Sequence, residues 1–226
     1  MNSGELYRLM TWLSPSYPVG SFCYSHGLEW LVETGAITDV DSLVSWLNDI
    51  LLLGSGRNDA ILLAHAHGAV LNGNTAQLWE AADYAGAMAA GAERYRESNA
   101  QGKAFTDITI ATWGSPTLVE FCASYPRAVP FPVAVGAAAG DHHIALASAL
   151  HAYVHGFAAN LVSAAVRLVP LGHTDGQRAL MRLESSVAGA VAQGETGGLS
   201  LLSNAAILAD MASMHHETQH TRLFRS

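Results

Sequence analysis

His216-Glu217-Thr218-Gln219-His220 spells H-E-x-x-H, two imidazoles four residues apart with a carboxylate between them. On a helix, positions i and i+4 share one face, so such a pair can hold one zinc ion while the glutamate activates its bound water. The chemistry would be metal-assisted hydrolysis. The surroundings do not complete it. The motif ends six residues before the last position, so no third ligand follows it as in the extended form, and nothing upstream stands out as one. A second pair, His151 and His155, has the same i, i+4 spacing and could serve a nickel-storage or metallochaperone protein. Its plainer reading is a pair of satisfied core or interface histidines, because no Cys or carboxylate lies nearby in sequence. His65 and His67 would point to different helix faces, and His142-His143 and His215-His216 are direct neighbours. No metal site and no cofactor are assigned.

Other catalytic signatures are missing. Gly54-Ser55-Gly56 lacks the spacing and the Lys-Ser/Thr end of a phosphate-binding loop, and Gly102-Lys103 runs into Ala104. There is no G-x-S-x-G elbow and no G-x-G-x-x-G turn. Two charges and one loop invite a binding role instead. Arg167 closes a long uncharged stretch just before Pro170, either neutralising a helix C-terminus or presenting a cation to a partner. Glu29 reads as a solvated first-turn acid or as a contact residue. The segment from Tyr17 to Glu29 gathers Pro18, Gly20 and Gly27 among Tyr17, Phe22, Tyr24 and His26. Such a loop either folds onto the core or forms a binding surface.

The elements that must position these residues are helical almost throughout. Leu6, Leu9, Met10 and Leu13 have helical spacing up to Pro15. A short helix is expected at Leu28–Glu33, stopped by Gly35. Thr38 or Asp39 caps the next, with a stripe of Leu43, Val44, Leu47, Ile50 and Leu51. Further helices are expected over Asp59–Leu71, Thr75–Ala90, Phe105–Trp113, Pro116–Ala123, Ile144–Leu168, Asp175–Ala192 and Ala205–His216, while Glu93–Gln101 is more polar. Pro126, Pro130 and Pro132 mark a connection, and Ile144–Leu168 is expected to be central and buried, ended by Pro170. No β-branched alternation competes, no repeat appears and no linker splits the chain. The expectation is one all-α domain over 1–226, a helical bundle of about ten helices.

Composition narrows the function classes. Of 226 residues 50% are hydrophobic and only 13% charged, against about 25% charged in typical domains. So few charges imply that part of the surface is covered by another subunit. A net charge of −8, with 11 scattered Lys and Arg, argues against nucleic acid. Cys23 and Cys122 lie far apart in no C-x-x-C pattern, as expected in a reducing cytoplasm. The N-terminus has no basic start followed by an apolar run. Between Asp141 and Arg167 there is no acidic or basic residue, yet four His interrupt the stretch, which fits a buried helix of a soluble bundle better than a membrane span.

Four segments, in order along nearly the whole chain, resemble the UreF family of urease accessory proteins. They are 18–22 running into 24–29, Arg96-Glu97 with 101–105, 160–172 through Gln177, and His216–Gln219 with Arg222–Ser226. The family often has Gln where this chain has His173 and Tyr where it has His220. The latter difference is what creates the literal H-E-x-x-H. The resemblance implies an all-α fold, a homodimer and a non-enzymatic role in urease maturation. It implies binding to the accessory protein UreD (also called UreH) and the GTPase UreG, and delivery of nickel to apo-urease. Carried onto this chain, it places Glu29 and the turn Tyr24, Ser25, His26, Gly27 on a partner-facing surface. Arg167 and the turn from Pro170 to Gly172 help form the surface that regulates the GTPase, and Gln177 is a further partner-binding residue. The tail of about 217–226, with Glu217, Arg222, Leu223, Phe224, Arg225 and Ser226, would order against UreD.

Overall fold

Asn2 accepts a hydrogen bond from the Glu5 amide while the Glu5 carboxylate accepts from the Asn2 amide. This reciprocal cap starts α1 (Ser3–Trp12). A computed structural model describes residues 2–226, and such local signals set most of its element boundaries. After α1 come α2 (Leu28–Glu33), α3 (Val40–Leu53), α4 (Ser55–Leu71), α5 (Thr75–Ala87), α6 (Ala92–Thr112) and α7 (Pro116–Ser124). Then follow α8 (Phe131–Asp141), α9 (Leu146–Leu168), α10 (His173–Arg182), α11 (Glu184–Thr196) and α12 (Ile207–His216). Among the described residues there are two short 3-10 turns and no strand. The all-α bundle is as expected, with more helices than the ten or so read from periodicity.

The core is built on α8, whose residues from Pro132 to Gly140 are all buried. It packs along α4 at a distance set by glycine. A Cβ added at Gly136 would lie 2.4 Å from the Leu63 carbonyl oxygen, and one at Gly140 would lie 2.8 Å from Val70 Cβ. The helices therefore approach almost backbone to backbone. α9 and α11 close the other side of α4, and one apolar cluster runs from Leu9 and Trp12 through Leu47, Phe105 and Leu150 to Phe224.

Four expectations are corrected. The proline-marked connection after Pro126 contains α8, because Pro130 caps it and Pro132 occupies its first turn, where no N–H is needed. The short helix expected at Phe105–Trp113 begins much earlier and takes in the polar Glu93–Gln101 stretch, as α6. Gly102 does not end it: a Cβ there would lie 1.9 Å from the Val129 oxygen, so the glycine is a notch for the crossing chain. The helix expected over Asp175–Ala192 is two, divided at Leu183, whose amide donates back to Ala179 and Leu180. The helix expected to be buried, α9, is amphipathic: Leu150, Val154 and Leu161 are buried, while His151 and His155 are exposed. No helix among the described residues is long and apolar enough to cross a membrane.

Candidate partner-binding site at the C-terminal tail

The i, i+4 row Glu93, Glu97, Gln101, Phe105, Thr109 forms the buried face of α6. A helix burying two carboxylates on its core face must supply them with donors. Glu97 takes some of its donors from Arg94, Gln101 and His26, but those of the Glu93 carboxylate come from residues more than a hundred positions away. His216, fully buried at the end of α12, directs Nδ1 to Glu93 Oε2 at 2.7 Å and Nε2 to Glu29 Oε2 at 3.3 Å. Arg222 donates to Glu93 Oε1 at 2.7 Å. Glu217 in turn accepts the Glu93 amide at 3.1 Å.

Glu29, in the first turn of α2, holds the tail itself. Oε1 accepts the Leu223 amide at 2.6 Å, and Oε2 accepts the Phe224 amide at 2.9 Å. The Arg225 amide donates to the Cys23 carbonyl at 2.7 Å. The Ser226 main-chain oxygen accepts from the Ser25 amide at 2.6 Å and from Ser25 Oγ at 2.5 Å. Ser226 Oγ donates to Glu97 Oε2 at 2.8 Å. Hydrogen bonds to buried carboxylates contribute about 1.5–3 kcal/mol each, which offsets the cost of burying the acids.

Side chains alternate along the docked tail as on a strand. Phe224 and Ser226 point in and are buried, while Leu223 and Arg225 are exposed. Phe224 meets Arg167, whose guanidinium carbon lies 4.4 Å from the Phe224 ring centre and 3.5 Å from that of Phe22. Arg167 Nη2 also donates to the Phe22 carbonyl at 3.0 Å. The loop backbone is fixed by tight turns. His26 and Gly27 both adopt positive φ, 57° and 79°, and a Cβ on Gly27 would lie 2.5 Å from the Ala212 carbonyl carbon in α12. His26 Nε2 lies 2.8 Å from Glu97 Oε1.

Two acids are driven in opposite directions. Burial alone would raise Glu97, but the adjacent Arg94 guanidinium and His26 hold it at about 2. Asp59 is pushed up to about 6 by burial, against the pull of Arg94 and of the Tyr153 hydroxyl that donates to it at 2.8 Å. Asp59, His26, Glu97 and Tyr153 line a cavity of about 250 Å³ behind the dock. The outer face of α12 is apolar: Ile207, Leu208, Met211 and Met214 are all exposed. Exposed Leu223 continues that character on the tail.

The structure thus brings together Tyr24, Ser25, His26, Gly27, Glu29, Arg167, Glu217 and Arg222–Ser226. It leaves Pro170 and Gly172 exposed at the α9–α10 turn and Gln177 on the open side of α10. Of the two readings of the loop, the geometry is that of a loop folded inward. Tyr24, Ser25, His26 and Glu29 are buried beneath the tail, because the tail amides need acceptors and the carboxylates need donors. The alternative of a zinc site at H-E-x-x-H meets a geometric obstacle. α12 ends at His216, so the exposed His220 shares no helical face with it. Both nitrogens of His216 are taken by carboxylates. Among the described residues no group of three or more His, Cys, Asp or Glu is arranged to hold a metal ion. Sequence reasoning gave no role to Glu93, Asp59 or Tyr153. For Glu93 the available signal was its place, with Glu97 and Gln101, on the i, i+4 row that leads to Phe105.

Residues 37–184 match the UreF family model. The chain is 48% identical over 224 residues to the urease accessory protein UreF of Rhodopseudomonas palustris (strain BisA53), covering 99% of this chain and 94% of that protein. It is 47% identical over 224 residues to that of Bradyrhizobium diazoefficiens, covering 99% and 93%. Against that of Methylobacterium sp. (strain 4-46) it is 46% identical over 218 residues, covering 96% and 87%. The family match stops short of both Tyr24–Glu29 and the tail, whereas the pairwise matches take in nearly the whole chain.

Proposed function

The chain belongs to the UreF family of urease accessory proteins, and on that premise we propose that it is a non-enzymatic urease maturation factor. In this reading it bridges UreD/UreH and the GTPase UreG on apo-urease, in the cytoplasm and as a homodimer, and couples GTP hydrolysis to nickel insertion. The single observation that carries the reading is the docked tail. A segment pinned by Glu29, Glu97 and Ser25 presents Leu223 and Arg225 outward, and α12 carries an exposed apolar stripe of its own. Exposed apolar side chains with a cation among them are the kind of surface a protein partner covers, and UreD/UreH is the partner we assign to it. Arg167 and the exposed Pro170–Gly172 turn form a second, neighbouring face, which we assign to the GTPase. Arg167 is already stacked between Phe22 and Phe224, so its part is to join tail and loop into one platform. Gln177 belongs to the same face in this assignment. Any bias on the GTPase requires binding one nucleotide state better than the other.

The test is urease activity in nickel-supplied cells that express urease and the remaining accessory genes, with and without this chain. Activity appearing only with the chain is the expected result. Equal activity without it, with soluble urease present, would overturn the reading.

A further inference from the structure

The cavity of about 250 Å³ behind the dock is enclosed by α1, α4, α6, α8, α9 and the loop before α2. An apolar cavity of about 150 Å³ binds benzene, so this one has room for a ring with a short arm. Its walls are aromatic. Trp12, Phe131, Tyr153 and Phe157 line it, and the Phe131 and Tyr153 ring centres lie 5.4 Å apart. Pro15, Phe22 and His155 line it and are exposed, which marks its opening.

The polar groups in it are short of donors. Two carboxylates, Asp59 and Glu97, line the cavity, and no Lys or Arg does among the described residues. Glu97 is satisfied by Arg94, His26, Gln101 and Ser226. Half-buried Asp59 has one donor, the Tyr153 hydroxyl on Oδ2, because Arg94 pairs with Glu97 instead. His26 brings no charge, since burial and Arg94 lower its pKa. That shortage is why Asp59 is pushed up to about 6. Gln101 and Asn160 spend their NH₂ groups on Glu97 Oε1 and on the Ser21 carbonyl, each at 3.0 Å, which leaves two amide oxygens to accept. An aromatic-walled cavity with an unpaired carboxylate and spare acceptors suits a cation that carries N–H donors.

We propose that this cavity binds a small organic ammonium ion with a ring-sized apolar body, its charge on Asp59 and its apolar part against the aromatic walls. The inference stands on the cavity and not on the maturation role.

The experiment is a titration of the full-length chain with phenethylammonium, followed by the indole N–H signals of its tryptophans in NMR. The Trp12 signal should shift saturably, while those of Trp30, Trp46 and Trp79, which do not line the cavity, stay in place. The neutral isostere phenethyl alcohol and the anion phenylacetate should bind about tenfold or more weakly, as loss of a charge-assisted hydrogen bond requires. Around Asp59 stand His26, Arg94, Glu97, Tyr153 and His155, with Asp210 of α12 on its other side. Binding should strengthen about tenfold from pH 5 to pH 7.5 as Asp59 ionises, and H155Q should keep that rise. D59N should weaken binding by about tenfold or more at pH 7.5 and abolish the rise, with circular dichroism showing its helices intact. Equal affinity for the alcohol, unaltered affinity in folded D59N, or no saturable Trp12 shift up to about 10 mM, a weak limit even for so small a ligand, would overturn the proposal.

Discussion

Two interfaces in this chain bury backbone against backbone by opposite means. Between α4 and α8 there is no charge at the contact. Gly136 and Gly140 remove side chains so that Leu63 and Val70 can come close. Beneath the tail, Glu29, Glu93 and Glu97 meet two main-chain amides, the Ser226 hydroxyl, the Gln101 amide, two arginines and two histidines. The first contact depends on volume and is indifferent to pH. The second depends on charge and donors, and it leaves its outer side chains free. A contact of the first kind suits a scaffold. One of the second kind can be set, released and recognised without disturbing the scaffold.

Substitutions should separate the two. Gly136→Ala puts a Cβ within 2.4 Å of the Leu63 oxygen. It should lower global stability in chemical denaturation by about 3 kcal/mol, the upper range for overpacking. The tail should be affected only through that loss. Glu29→Gln replaces two acceptor oxygens by one and turns an NH₂ toward a tail amide that also donates. It should raise amide exchange at Leu223 and Phe224 by about ten- to a hundredfold, the effect of losing roughly 1.4–3 kcal/mol of local hydrogen bonding, with the core midpoint nearly unchanged.

Acidity sharpens the contrast. Glu97 is held at about 2 against an ordinary 4.5, so its contribution is complete above pH 4.5 and is lost as pH falls toward 2. Tail exchange should therefore accelerate across that window. Asp59 has the opposite sign. Its pKa of about 6 lies above the ordinary 3.8, so the folded state binds the extra proton and stability falls as pH rises from about 4 to 6. Asp59→Asn keeps an acceptor for the Tyr153 hydroxyl. It should stabilise the protein by about 1–3 kcal/mol at pH 7.5 and by little below pH 4, as denaturation at the two pH values would show.

The same contrast explains what the sequence disclosed. Helices with one apolar stripe, such as α3 with Leu43, Leu47, Ile50 and Leu51 buried, were legible because burial on one side leaves a period. α8 is buried on every side, so it has no period, and its prolines read as a connection although they mark its first turn. The tail was legible only through resemblance. Glu29 has the local features of a solvated first-turn acid, and its partners lie 194 and 195 positions away. No local signal encodes a pairing of that length. H-E-x-x-H shows the limit of spacing from the other side: four-residue spacing means a shared face only while the helix continues, and α12 stops at the first histidine.

The proposed role makes the tail pinned by Glu29 the surface that partners in urease maturation recognise. The most direct measurement is urease activity in nickel-supplied cells carrying either the native chain or Glu29→Gln, at equal soluble levels. The account expects the variant, with its helices intact, to activate urease about tenfold less, the consequence of about 1.4 kcal/mol lost in presenting the tail. Full activation by a variant whose tail amides exchange freely would contradict it.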